Sequence, residues 1–129
     1  MRLLVDTSVL IDHLHGRAAA TDFLRRSKTA GHELWSSVVV RSEILAGMRR
    51  QEQESTWMLL ELLRFQEVTV AIADRAGGLA RSYLQSHSHI DLADYLIAAT
   101  TMELSAQLAT MNIKHFPMLP GLQRPYSLS

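Results

Sequence analysis

Short apolar runs alternate with longer stretches of helical periodicity along this chain. Leu3-Leu4-Val5, bounded by Arg2 and Asp6, reads as a short buried strand. Thr7 or Ser8 is placed to cap a first helix through Val9, Leu10, Ile11 and Leu14, which Gly16 stops. Residues 18–28 read as a second helix with Phe23 and Leu24 inward. Glu33 to Ser36 reads as a strand, after which Ser36 or Ser37 caps a helix from about Val38 to Arg49. Then come a helix near 54–64, a β-branched strand from Glu67 to Val70 and an amphipathic helix over 73–86. An apolar helix follows from Asp91 to about Leu104, then a last strand from Gln107 to Thr110. Phe116 to Tyr126 is loop-rich, with room for one edge strand. This alternation predicts an α/β fold: a mainly parallel sheet covered on both faces, with right-handed connections, some of them carrying two helices.

Length and composition change this picture little. At 129 residues the chain suits one domain, read as 1–129, and holds a core without staples. There is no cysteine, so neither a disulfide framework nor a thiolate metal site is available, which suits a cytoplasmic setting. No apolar run approaches the roughly 20 residues that span a bilayer, and no signal peptide is visible. Thirteen basic residues balance thirteen acidic ones, which argues against nucleic-acid binding by bulk charge alone and leaves room for a local basic rim.

The chemistry sits in four polar positions at comparable places. Asp6 falls where the first strand should end, and the carboxyl ends of strands are where open α/β sheets bind ligands; it is a site residue or a helix cap. Glu43 lies on the helix after the second strand. That helix is apolar nearly all round and is expected to be largely buried, so a glutamate there asks for a partner or a metal; a solvated glutamate is the alternative. Asp94 shares a helix face with Ile97, Ala98 and Thr101. Asp91 and Asp94 also match a capping arrangement, which accounts for Asp91 better than for Asp94. Asn112 follows the last strand, either as an ordinary turn residue or as an amide able to bond a metal-bound water.

Clustered carboxylates do not all stay ionised unaided, and hard oxygen ligands without cysteine suit Mg2+ or Mn2+. Such an ion activates a water and screens phosphate charge. The two H-x-H pairs, His13/His15 and His87/His89, lack further ligands at zinc spacing and read as surface histidines. Met58, Met102 and Met111 read as core filler.

Four stretches together resemble the PIN-domain ribonucleases, specifically the VapC-type toxins of bacterial toxin–antitoxin pairs. They are Val5-Asp6-Thr7-Ser8-Val9-Leu10-Ile11-Asp12, Arg41-Ser42-Glu43-Ile44-Leu45-Ala46-Gly47-Met48-Arg49, Asp94-Tyr95-Leu96-Ile97-Ala98-Ala99-Thr100, and Leu108-Ala109-Thr110-Met111-Asn112-Ile113-Lys114-His115-Phe116. Each alone is weak; the ordered set is specific and covers nearly the whole chain. The resemblance implies a three-layer α/β/α sandwich and Mg2+- or Mn2+-dependent cleavage of RNA. It also implies a homodimer and a cognate antitoxin. On that pattern Asp6, Glu43 and Asp94 are the metal-binding acids, Thr7 and Ser8 line the site, and Asn112 stands where some members carry aspartate. Asp91 is a further metal candidate, replacing part of that missing charge. Arg41, Arg49 and Lys114 are candidate phosphate contacts.

A haloacid-dehalogenase-like phosphatase wants a second aspartate two residues after Asp6, where this chain has Ser8. A receiver domain wants paired acids near its first strand, and none are present there. The different-class alternative is a PIN-like module that binds antitoxin or RNA without cutting, against which the intact trio of acids argues.

Overall fold

The computed structural model describes residues 1–128. Four parallel strands form one sheet in the order β3-β2-β1-β4: β1 (Arg2–Val5), β2 (Glu33–Ser37), β3 (Arg64–Gln66) and β4 (Gln107–Ala109). Six helices accompany them: α1 (Thr7–Leu14), α2 (Ala18–Thr29), α3 (Val38–Ala46), α4 (Gln53–Glu61), α5 (Val70–Tyr83) and α6 (Leu92–Glu103). The expected α/β architecture with a parallel sheet is therefore observed.

The strand order dictates where the helices lie. β1, β2 and β3 are laid down in one direction, with α1 to α4 in the crossovers. The return from β3 to β4 passes β1 and carries α5 and α6. Right-handed crossovers put these two helix sets on opposite faces of the sheet. α1 packs on α2 and α3, α5 packs on α6, and α3 also touches α6, which links the two layers. Between β1 and β4 the connections depart in opposite directions, and this switch point is where an open parallel sheet forms its ligand crevice.

Burial on both faces explains why β1 is an apolar run rather than an alternating one. Leu4 and Val5 are fully buried and Leu3 nearly so. One contiguous core joins them to Val9 and Leu10 of α1, Val40 and Ile44 of α3, and Tyr95, Ile97, Ala98 and Ala99 of α6. No helix among the described residues is long and apolar enough to cross a membrane.

Several elements differ from the sequence pattern. The third strand is Arg64–Gln66, ahead of the β-branched run 67–70. The Thr69 hydroxyl accepts a hydrogen bond from the Ile72 amide at 3.1 Å, so Thr69 is a helix cap and Val70 starts α5. α3 ends at Ala46 with Gly47 as its cap, and Arg50–Glu52 forms a separate 3-10 turn. α3 is also less buried than its composition suggests: Val40 and Ile44 are its only fully buried residues, and Glu43 is exposed. Met58 is 62% exposed and fills no core. After β4 the described residues contain a 3-10 turn at Ile113–His115 and no edge strand.

Leu4 lies at the centre of the central pair, opposite Trp35 on β2 and Leu108 on β4. Leu4→Ala is expected to destabilise the fold by about 2–5 kcal/mol, through lost transfer energy and the cavity left behind, as read from urea denaturation midpoints.

Candidate active site

β1 delivers Asp6 to the switch point. The Asp6 amide extends the ladder by donating to the Ala109 carbonyl at 3.0 Å, and the Asp6 carbonyl accepts from the Val9 and Leu10 amides of α1. Asp6 therefore occupies the N-cap position of α1, but its side chain makes no capping bond. Neither Thr7 nor Ser8, the caps expected from sequence, does so either. Both are inside α1, and their hydroxyls donate to Glu43 and Asp6.

Asp6 is 5% exposed, and its carboxylate is held by hydroxyls. Thr110 Oγ1 donates to Oδ2 at 2.7 Å and Ser8 Oγ donates to the same oxygen at 3.2 Å. Both hydroxyls are themselves fixed: Ser8 Oγ accepts from the Met111 amide and Thr110 Oγ1 from the Asn112 amide, each at 3.0 Å. Oδ1 takes part in none of these bonds. A carboxylate tied down through one oxygen in this way presents the other as a fixed hard donor.

The neighbouring acid is reached through Thr7, whose Oγ1 donates to Glu43 Oε1 at 2.7 Å and ties the start of α1 to α3. Ser37 caps α3 through the Val39 amide at 3.0 Å, and the buried Ser36 hydroxyl donates to the Val5 carbonyl at 2.7 Å. The end of β2 is thus locked to the end of β1, which fixes how α3 presents Glu43. A cleft of about 180 Å3 between Ile11 and Leu14 on one side and Ile44 and Met48 on the other runs along Glu43.

Asp94 sits in the first turn of α6. Asp91 Oδ1 accepts from the Asp94 amide at 3.1 Å and Asp94 Oδ2 accepts from the Asp91 amide at 3.3 Å, a reciprocal capping box. Capping thus accounts for part of Asp94 as well as for Asp91. His115 Nδ1 lies 3.3 Å from Asp94 Oδ2. Burial is the main cause that pushes the Asp94 carboxyl up to about 6, and the nearby Asp91 charge pushes the same way.

Continuous connections run across the site. Asp94 meets His115, the turn 113–115 is capped by Asn112, the Asn112 amide binds Thr110, Thr110 holds Asp6, and Thr7 beside Asp6 holds Glu43. Among the described residues, however, no group of three or more His, Asp or Glu side chains is set closely enough to hold a metal ion by itself. The donor set is nonetheless of the kind Mg2+ or Mn2+ takes: hard carboxylate oxygens, one or two of which suffice because Mg2+ keeps several of its waters.

The remaining candidates are placed as follows. Arg41 stacks over Phe65 and Trp57, 4.8 and 5.5 Å from the ring centres, and Arg49 pairs with Glu52 at 2.7 Å. Lys114 and Asn112 are exposed on the turn after β4. The sequence reading missed Thr110 and His115. Both lie within the stretch that carried the family resemblance, but a threonine and a histidine at a strand end look like many others until the opposing carboxylates are seen.

The pattern of the PIN domain matches residues 3–117. The chain is 46% identical over 126 residues to ribonuclease VapC10 of Mycobacterium tuberculosis, covering 98% of this chain and 94% of the relative. It is 44% identical over 123 residues to ribonuclease VapC19 of the same organism, covering 95% and 98%. Its structure resembles a toxin–antitoxin complex from Klebsiella pneumoniae with a TM-score of 0.78 and 27% identity, over 96% of this chain and 98% of that one. The chain belongs to the PIN-domain family, and its relatives within it are of the VapC type.

The raised Asp94 pKa has a consequence for stability. Its ordinary value is 3.8, so the folded state binds the proton more tightly than the unfolded chain. The stability this contributes is fully present below about 3.8 and is lost as pH rises through about 6. In chelator, Asp94→Asn is expected to lose that pH dependence and to be more stable than the parent at pH 7, as measured by denaturation between pH 4 and 7.

Proposed function

We propose that this protein is a ribonuclease toxin of a toxin–antitoxin pair that hydrolyses RNA phosphodiester bonds with Mg2+ or Mn2+. The observation that carries the reading is Asp6: a nearly buried carboxylate, pinned through one oxygen by Thr110 and Ser8, at the switch point of a PIN fold. The 46% identity to a named ribonuclease supports the reaction class.

Asp6, Glu43 and Asp94 are the residues that would hold the ion. When bound, it supplies an activated water and screens the phosphate charge. The chain's own residues prepare that chemistry. Ser8 and Thr110 fix the direction of the Asp6 carboxylate. Thr7 orients Glu43, which is exposed and open to the incoming strand. Asp94 must be ionised to bind a cation, and its raised pKa means that a cation relieves an unfavourable charge there. Asn112, exposed on the turn after β4, would offer its side-chain amide to orient water. Asp91 uses one oxygen to cap α6 and adds its charge to the site from the other end of the same box.

RNA specificity rests on single-stranded loop shape and local cations rather than on net charge, which is zero. Lys114 is the cation best placed to reach phosphate, being exposed on the turn that also carries Asn112. Arg41 and Arg49 would first have to leave their present partners. A cognate antitoxin is the partner, a homodimer the assembly, and the cytoplasm the compartment.

Asp6→Asn tests the mechanism. It is expected to keep the fold, by circular dichroism, and to lower Mg2+-dependent RNA cleavage on the order of 1000-fold, the several kcal/mol a metal supplies. Undiminished cleavage by the variant contradicts the mechanism. An absence of cleavage by the parent on structured and unstructured RNA alike points instead to a module that binds without cutting.

A further inference from the structure

We propose that His115 is a positioning residue for Asp94, held in place by a ladder of rings that the two histidines of the His87/His89 pair build. The proposal rests on the reading of Asp94 as a metal-holding carboxylate. His115 Nδ1 lies 3.3 Å from Asp94 Oδ2, the same oxygen that accepts from the Asp91 amide. Both of these contacts fall on Oδ2 and neither engages Oδ1, the division also seen on Asp6, where both hydroxyls take Oδ2.

The ladder explains why His115 stays there. His89 meets His115 edge-on, with ring centres 5.7 Å apart. His89 Nε2 lies 3.0 Å from the Lys114 carbonyl. A carbonyl only accepts, so that nitrogen carries the proton, which fixes the His89 ring. His87 lies 6.0 Å from His89 and 5.4 Å from Tyr83 at the end of α5, and its Nδ1 bonds the Ser86 hydroxyl at 2.7 Å. The segment 84–91 between α5 and α6 is thereby clamped to the turn after β4. Asp94 on α6 and His115 on that turn are held in register by it. Loss of a side chain that orients a metal-holding group typically costs roughly 10- to 100-fold in affinity, since a carboxylate with a wandering rotamer must be ordered when the ion binds.

The contact runs through Nδ1, which makes the proposal sharp. Asparagine puts its amide nitrogen where Nδ1 stands; glutamine carries it out to the place of Nε2. Mn2+ binding to the full chain is measured by titration calorimetry, with thermal unfolding in chelator reporting on the fold. His115→Ala and His115→Gln are expected to weaken Mn2+ binding roughly 10- to 100-fold, and His115→Asn to restore it to within a few-fold. His89→Ala, which removes only the outer brace, gives a smaller loss. Mn2+ affinity unchanged by His115→Ala, or an equal loss in the Asn and Gln variants, overturns the proposal. Asp94→Asn separates the two levels. If it binds Mn2+ as well as the parent does, the reading of Asp94 fails and the proposal with it. If it loses Mn2+ while His115→Ala keeps it, the positioning role alone fails.

Discussion

The hydrogen bonds from Thr110 and Ser8 to one oxygen of Asp6 are the constraint on which the rest of the site depends. The charge of a residue only 5% exposed, at the end of a central strand, is costly unless it is met by donors. The fold supplies them from the two elements that flank the crevice: Ser8 from the first turn of α1 and Thr110 from the residue after β4. The Met111 amide, donating to Ser8 Oγ, ties the loop after β4 to the start of α1, and the Asn112 amide fixes Thr110 Oγ1 within that loop. The same bonds that make Asp6 tolerable therefore close the sheet at its switch point.

The site shows a trade between stability and chemistry. Asp94 carries a pKa near 6, so at neutral pH its ionised form opposes folding. Such conflicts gather where a ligand later repays them. Elsewhere the charges are conventional. Arg2 and Arg64 flank Trp35 and both reach Glu33 at the surface. Exposed pairs of this kind contribute little to stability, which leaves the apolar core around Leu4, Val5 and α6 to carry the fold.

Much of the architecture was legible from hydrophobic pattern, because β1, α1 and α6 are buried enough for apolar runs to show. The errors have local causes. Val68-Thr69-Val70 has strand-like side chains, but Thr69 gains more as a cap, and the strand formed three residues earlier, at Arg64, where polar residues hide it. α3 is shorter and less buried than its apolar composition suggests: Gly47 ends it, and only Val40 and Ile44 are buried. The positions of Asp6 and Asp94 at element ends were visible in sequence. Their partners were not, because Thr110 and His115 acquire meaning only from contacts across 104 and 21 positions, 110 − 6 and 115 − 94, and no local rule reports contacts at that range.

Asp6 is proposed as the fixed donor around which a divalent ion assembles. An anomalous difference map from a crystal soaked in Mn2+ tests it most directly. The expected result is a peak about 2.1 Å from Asp6 Oδ1, with the Thr110 and Ser8 bonds to Oδ2 intact and Asp94 Oδ1 turned toward the ion or its waters. A peak on the His87/His89 ladder with none at Asp6, or no peak at saturating Mn2+, would contradict the account.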